Sequence, residues 1–323
     1  MTVKSRLLEL LEQHKGETLS GELLAEELSC TRAAIWKAVK SLREMGYHIE
    51  AGPNRGYMLA QDTDLLSAEG LRLYLGNPQA KIEIFEEIDS TNQTAKEIAV
   101  AGKAGHGSLV LARSQKAGRG RRGRSFFSPK DAGLYLSVII KPESTLTASL
   151  LLTCAAAVAV CRAVQQVYGL ELAIKWVNDL YYQDKKVCGI LTEAVTDFES
   201  GNIDLAVIGI GLNLFQGKEE IPPELREKAG VLFPEYKAGE NLQRNRLAAE
   251  IVNQILRETA DLKLSPEYVK RNIIPGKFVT ILDGNSSRRV FAEGICEDGR
   301  LLVREEDGQH RRLAYGEITD FKE

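Results

Sequence analysis

Gly118-Arg119-Gly120-Arg121-Arg122-Gly123-Arg124 lies in a window with no acidic residue between Glu97 and Asp131. The chain as a whole has 323 residues and a formal net charge of -3, so the basic cluster is a local feature. Glycine lets a backbone approach a ligand closely and adopt φ > 0. Arginine brings paired donors that match phosphate and carboxylate oxygens. A loop of this kind suits a ligand carrying several negative charges, or serves as a flexible basic tether or RNA-contacting segment. The flanking segments decide between these readings.

Upstream, Ser108 to Ser114 reads as a strand that delivers Gln115 into the loop, and Lys81 to Ile88 alternates as another. Between them, Asp89-Ser90-Thr91-Asn92-Gln93 opens a helix. Its hydroxyls and amide can cap that helix or bind a polar head group. Downstream, Phe126-Phe127 can shield a site from water or simply pack in a core. Gly133 to Ile140 is a strand, Ala148 to Tyr168 a long apolar helix, and Leu172 to Val177 a strand leading into Lys175-Trp176-Val177-Asn178-Asp179-Leu180. Asp184-Lys185 reads as a hairpin tip, which places Lys186 at the start of an inward strand with Gly189 close behind. An ammonium there would face a pocket. Ile203 to Ile210 is a further strand, followed by Gly211-Leu212-Asn213; Gly209, Gly211 and Asn213 offer close backbone approach and one amide to read a ligand.

The N-terminal sixty residues form a different pattern. Leu7, Leu8, Leu10 and Leu11 make a helical apolar stripe. Ser20 caps a second helix with Leu23, Leu24 and Leu28 facing inward, and Thr31 caps a third with Ile35, Val39 and Leu42 inward. The other face of that third helix carries Arg32, Trp36, Lys37, Lys40 and Arg43, with no acid from 31 to 43. A hairpin follows, turning at Gly52-Pro-Asn-Arg55-Gly56. This is the order of a winged helix-turn-helix, with Thr31, Arg32, Trp36, Lys37, Lys40 and Arg55 as candidate DNA contacts. So few cations imply weak, salt-sensitive binding unless two subunits bind a two-fold site together. A small helical dimerisation module with a solvated basic face is the alternative.

Hydrophobic content of 44% and charged content of 27% fit a soluble globular chain of two or three domains. No apolar run is expected to reach the ~20 residues of a membrane span, and the N-terminus has no signal-peptide core. The five cysteines are odd in number and form no C-x-x-C pair, which points to reduced thiols and a cytoplasmic protein. Cys154 and Cys161, seven apart, suit one face of a core helix, and four scattered histidines give no zinc site. From about Pro275, short strands with turns at Asp283-Gly-Asn, Glu297-Asp-Gly and Glu306-Asp-Gly predict a small β-barrel.

Taken together, the S-T-N-Q after a strand, the Q-x-x-G-R-G-R-R-G-R loop, K-W-x-N-D-L-Y, K-x-x-G-I-L and G-I-G-x-N resemble the bifunctional biotin protein ligases that double as biotin-operon repressors. Phe126 stands where the family pattern has tryptophan, which keeps an aromatic and loses an indole N–H. The resemblance implies a multi-domain α+β chain. Its parts are a winged helix-turn-helix at 1–62, a mixed-sheet α/β ligase domain at 63–274 akin to class II synthetase and biotin ligase folds, and an SH3-like β-barrel at 275–323.

It further implies ATP-dependent formation of biotinyl-5'-adenylate with Mg2+, then transfer of biotin to a lysine of the biotin carboxyl-carrier domain of acetyl-CoA carboxylase or a similar carboxylase. Arg119, Arg121 and Lys186 would act in catalysis. Ser90, Thr91, Asn92, Gln115, Gly120 and Gly189 would join them around biotin. Arg121, Arg124, Phe126, Asn178, Asp179 and Asn213 would face the nucleotide; the metal ligands are left unassigned. Operator DNA and a homodimer promoted by the adenylate complete the implied partners, with no membrane. The segments Thr196–Asn202 and Ile140-Lys-Pro-Glu-Ser-Thr are candidate flanks of that dimer interface. A lipoate-type ligase and a non-catalytic biotin-sensing repressor are the competing readings; the arginine loop and the winged helix disfavour the first, and the number of cations the second. A pure nucleic-acid protein fits poorly with a net charge of -3.

Overall fold

The computed structural model describes residues 2–52, 56–141, 149–196, 203–237, 240–283 and 286–321. Arg55 at the wing tip, the Gly284-Asn285 turn, and most of the two candidate dimer flanks (142–148 and 197–202) lie outside the described residues. The chain divides into two compact units, Met1–Pro78 with Glu235–Glu250, and Gln79–Pro234 with Ile251–Glu323.

In the first unit, helices α1 (Val3–Gln13), α2 (Gly21–Glu27) and α3 (Arg32–Glu44) precede the hairpin β1 (Ile49–Gly52) and β2 (Gly56–Leu59). The caps form where the sequence places them: Ser20 accepts from Leu23 N at 3.0 Å and Thr31 from Ala34 N at 3.2 Å. Leu7, Leu8, Leu11, Leu24, Leu28, Ile35, Val39 and Leu42 close one core. Each such side chain contributes roughly 1.5–3 kcal/mol when fully buried. Leu23 does not join them. It is 49% exposed, because its neighbour Leu24 takes the inward direction and adjacent helical residues point about 100° apart. Residues 61–67, which lead into α4 (Ala68–Arg72), are held within this unit. Arg244 pairs with Asp64 at 2.8 Å, Asn245 Oδ1 accepts from Ser67 N at 3.0 Å, and Asn241 donates to Gln61 O at 2.7 Å.

The second unit is built on a seven-stranded mixed sheet. Its strands are β3 (Ile82–Phe85), β4 (Leu109–Ala112), β5 (Gly133–Ile140), β6 (Ala173–Lys175), β7 (Asp179–Tyr182), β8 (Lys185–Thr196) and β9 (Ile203–Asn213), in the order β3-β4-β5-β9-β8-β7-β6. Only the β3–β4 pair is parallel, because α5 (Thr91–Val100) crosses between those strands. Ala95 and Ala99 of α5 pack on Val110, Ile139 and Val207 of the sheet.

The helix α6 (Ser149–Tyr168) carries Cys154 and Cys161 in its buried face, and all five cysteines are free thiols. Its twenty residues are long and apolar enough to cross a membrane by length and composition alone. Two-thirds of its most apolar window is buried inside the protein, so the hydropathy belongs to a core helix.

The β7–β8 turn falls one residue earlier than the sequence suggests. Gln183 and Asp184 both take positive φ, and Lys185 already pairs with Tyr182. The arginine loop leaves β4 and returns to β5 through a closed neck. Arg113 grips Asp131 through Nε and one terminal nitrogen, both at 2.6 Å, and Asp131 N donates to Arg113 O at 2.9 Å. Helices α7 (Arg244–Ala260) and α8 (Pro266–Arg271) lead to strands β10 (Lys277–Asp283), β11 (Ser286–Ile295), β12 (Leu301–Arg304), β13 (His310–Leu313) and β14 (Glu317–Asp320). These form an antiparallel sheet in the order β13-β12-β11-β10-β14, in which the last strand returns beside the first.

Candidate active site

A cavity of about 300 Å³ in the second unit gathers the candidate ligase residues. Ser90, Thr91, Asn92, Gln115, Arg119, Gly120, Arg121, Arg124, Phe126, Asn178, Asp179, Lys186, Gly189 and Asn213 all line it. They arrive from α5, the loop between β4 and β5, the β6–β7 turn and β7, and the central strands β8 and β9.

One end of the cavity is neutral. Ser90, Thr91 and Asn92 at the start of α5 are nearly inaccessible. Ser90 makes no side-chain cap; instead Gln115 Oε1 accepts the Thr91 N–H at 2.9 Å and lies 3.1 Å from the Thr91 hydroxyl. The helix start is therefore satisfied by the residue that enters the arginine loop.

The other end is cationic around Arg121, Arg124 and Lys186, and each of these three already has a partner. Lys186 Nζ lies 2.7 Å from Asp179 Oδ1 across the β7–β8 pair. Arg121 donates to Asn178 Oδ1 at 3.2 Å, and burial pushes its pKa below the usual value against the pull of Asp179. Arg119 donates to Gln93 Oε1 at 3.3 Å. Arg124 binds Glu317 in a two-pronged pair, with one prong at 2.6 Å. Asn178 spends its remaining donor on Ile190 O at 2.9 Å.

The glycines expected to leave room for a ligand are filled by the protein itself. A Cβ on Gly209 would strike Asn92 Oδ1, and one on Gly211 would overlap the Phe126 ring. A Cβ on Gly189 would come within 3.2 Å of the same ring. Phe126 thus lies over β8 and β9, with its edge toward Tyr135 at a centroid distance of 6.5 Å. Asn213 turns its amide to Gly230 O at 3.1 Å and so ties down the segment after β9.

Several residues of the cavity carry no sequence signal. Gly316, Glu317 and Ile318 reach it from the C-terminal sheet, and Phe215 to Val231 supply much of one wall. That wall runs beside Lys186, whose backbone bonds Lys228 O at 3.0 Å and Gly230 N at 2.8 Å. Lys175 and Trp176 of the K-W-x-N-D-L-Y motif also anchor the C-terminal strands. Lys175 Nζ donates to Ile318 O at 2.6 Å and sits 4.5 Å from the Phe321 ring centroid, while Trp176 Nε1 donates to Gly299 O at 3.0 Å. Burial pushes the Lys175 pKa down.

In the first unit, Thr31, Arg32, Trp36, Lys37 and Lys40 are exposed along α3, with Trp36 at 55%. Arg43 departs from that face, because its guanidinium is spent on Ile49 O at 2.9 and 2.6 Å. Among the described residues no group of three or more His, Cys, Asp or Glu side chains could hold a metal by itself.

With this geometry in hand, comparison with known proteins is decisive. The chain is 35% identical over 321 residues to the bifunctional ligase/repressor BirA of Bacillus subtilis (strain 168), covering 95% of both chains. The chain belongs to the biotin protein ligase family of bifunctional ligase/repressors. A second member of the family, BirA of Escherichia coli (strain K12), is 33% identical over 325 residues, covering 98% of this chain and 97% of its own. Residues 84–213 match the model of the biotin/lipoate A/B protein ligase family, 3–58 that of an HTH domain, and 275–319 that of the biotin protein ligase C-terminal domain. The solved biotin protein ligase of Aquifex aeolicus in complex with biotin and ATP superposes with a TM-score of 0.60 at 26% identity. It covers 74% of this chain and 97% of that one.

Proposed function

We propose that the chain joins biotin to a carrier-protein lysine by way of biotinyl-5'-adenylate, and that the same chain represses transcription when the adenylate is bound. The observation that carries the ligase reading is the convergence of Arg121 and Lys186 on one cavity that also holds the hydrogen-bonded start of α5, where Arg119 donates to Gln93. An acid with a polar, uncharged head and a carboxylate tail fits that division.

The first step is attack of the biotin carboxylate on the α-phosphorus of ATP, with pyrophosphate leaving. Two anions must meet, so preorganised cations lower the barrier. In this reading Ser90, Thr91 and Gln115 face the biotin head, with Asn92 behind them and Gly120 beside the ring. Lys186 turns from Asp179 to the carboxylate and α-phosphate as they enter. Arg121 grips the phosphoryl oxygens, Arg119 and Arg124 flank the charged end, and Phe126 covers the mixed anhydride. In the second step the acceptor lysine attacks the acyl carbon and AMP leaves with the bonding pair. No enzyme nucleophile is required.

Mg2+ arrives with ATP and needs only one or two protein carboxylates besides phosphate oxygens. Asp179, the lining carboxylate beside Lys186, is the residue we assign to it. Bound Mg2+ would spread the phosphate charge and hold the leaving pyrophosphate in line.

For the repressor role, the exposed stripe of Arg32, Trp36, Lys37 and Lys40 after the Thr31 cap supports major-groove contact. We assign the partners as operator DNA, a carrier domain of a biotin-dependent carboxylase such as acetyl-CoA carboxylase, and a second copy of the chain recruited by the adenylate. The cytoplasm is the matching compartment, and 1–62, 63–274 and 275–323 are the working domain limits. The test is mass spectrometry of a carrier domain incubated with the protein, Mg-ATP and biotin, with lipoate in a parallel reaction. One biotin on a single lysine and no lipoyl product is expected. An unmodified carrier would replace the ligase with a biotin-sensing repressor.

A further inference from the structure

The neutral wall of the cavity continues into the protein. Asn92 gives its amide hydrogens away from the cavity, to Leu191 O at 3.1 Å and Glu193 Oε2 at 2.9 Å. Its Oδ1 can then only accept, and it takes the proton of the Ser137 hydroxyl at 2.6 Å. Ser137 is fully buried and, having given its one proton, can only accept from Thr91 at 2.8 Å. On the far side, Gln115 donates Nε2 to Ser128 Oγ at 2.8 Å, which turns its oxygen toward Thr91. Thr91 therefore stands between two acceptors. Whichever takes its proton, that proton stays inside the wall, and a lone pair is left for the cavity. The chain of bonds is fixed at its inner end by Glu193, a carboxylate clamped to Lys96 at 2.9 Å that can accept but not donate. Gly209 gives Asn92 the room to sit there.

We propose that Glu193 and Ser137, which do not line the cavity, are positioning residues that fix the Thr91 hydroxyl at its neutral end as an acceptor of an N–H group, so that the site selects a cyclic-urea acid over an acid whose ring has no N–H. The proposal rests on the biotin reading above. It supplies a physical basis for rejecting a dithiolane acid in a fold family that includes lipoate ligases. A wall pointing a hydroxyl proton outward would not make that distinction, and a ligand N–H with no acceptor would lose a bond it had in water.

The test is Glu193→Gln, which keeps the side-chain size but leaves one acceptor oxygen for Asn92 and Lys96 to share where the carboxylate offers two, with Ser137→Ala interrupting the same relay at its middle. Carrier-domain biotinylation is assayed for each against biotin, ATP and added lipoate. The expected result for Glu193→Gln is a rise of about tenfold in the KM for biotin, equivalent to about 1.4 kcal/mol, with kcat and the KM for ATP within about twofold of the parent. Inhibition by lipoate should strengthen relative to biotin, and Ser137→Ala should move the same constants in the same direction. A biotin KM within about twofold of the parent in both variants overturns the proposal, as does an equal rise in both KM values with loss of kcat, which marks a general loss of structure. A parent chain that does not bind biotin overturns the underlying reading as well, so the two failures are distinguishable.

Discussion

The two ends of the cavity reach readiness by opposite means. At the neutral end, Thr91 and Asn92 are buried, Gln115 is half-buried, and the three are linked directly or through Ser137 before any ligand arrives. At the charged end, Arg121, Arg124 and Lys186 are held by partners that a phosphate must displace or share. A preformed network confers selectivity at little cost in rearrangement. Exchangeable ion pairs keep like charges apart in the free protein and release them when a stronger anion enters. Recognition and activation are thus separated in space, and substitutions should separate them in measurement.

The largest effect is expected from Arg121→Gly. Loss of its fork should leave adenylate synthesis measurable while the intermediate dissociates on the order of 100-fold faster, since one such donor contributes on that scale. Retention of labelled adenylate on a filter reads this directly, and parent-like retention would move the grip to another cation. Next is Gly209→Ala at the neutral end. Its new methyl would push Asn92 off its partners and cost about 1–3 kcal/mol of stability, as overpacking does. Calorimetry should register weaker biotin binding with ATP binding little changed; equal damage to both would erase the distinction between the ends. The smallest effect is Asp179→Asn. It should raise the Mg2+ concentration needed for half-maximal activity by about tenfold, as expected when one of one or two protein carboxylates is lost, and leave the KM for biotin nearly constant. A titration unmoved by the substitution would send the metal to another carboxylate.

Local signals were legible in the sequence and distant partnerships were not. The caps Ser20 and Thr31 and the strand Gly133–Ile140 follow from neighbouring residues and form as expected. The hairpin before Lys186 shifted by one because its left-handed positions are Gln183 and Asp184, and only the second is a residue type that favours that conformation. Gly209, Gly211 and Gly189 announced a missing Cβ but not what fills the space, which proved to be Asn92 and Phe126. Arg124 meets Glu317, and Lys175 meets Ile318, across most of the length of the ligase unit. No spacing rule connects residues so far apart. The wall from Phe215 to Val231 has neither periodicity nor a motif, and is placed by bonds to distant residues such as Lys130, Ala132, Lys186 and Asn213.

The neck formed by Arg113 and Asp131 has a further consequence. Because the ion pair and the backbone bond fix both feet of the arginine loop, the register of β4 on β5 does not depend on what lies between them. Lengthening a closed loop costs only about 0.6 kcal/mol per doubling. The segment inside the neck is therefore a cassette, open to insertion and drift while the sheet stays as it is. An engineer could graft one version of the arginine-rich tip for another at the same two feet, while the acyl-head wall on α5, β5 and β8 stays outside the exchanged segment.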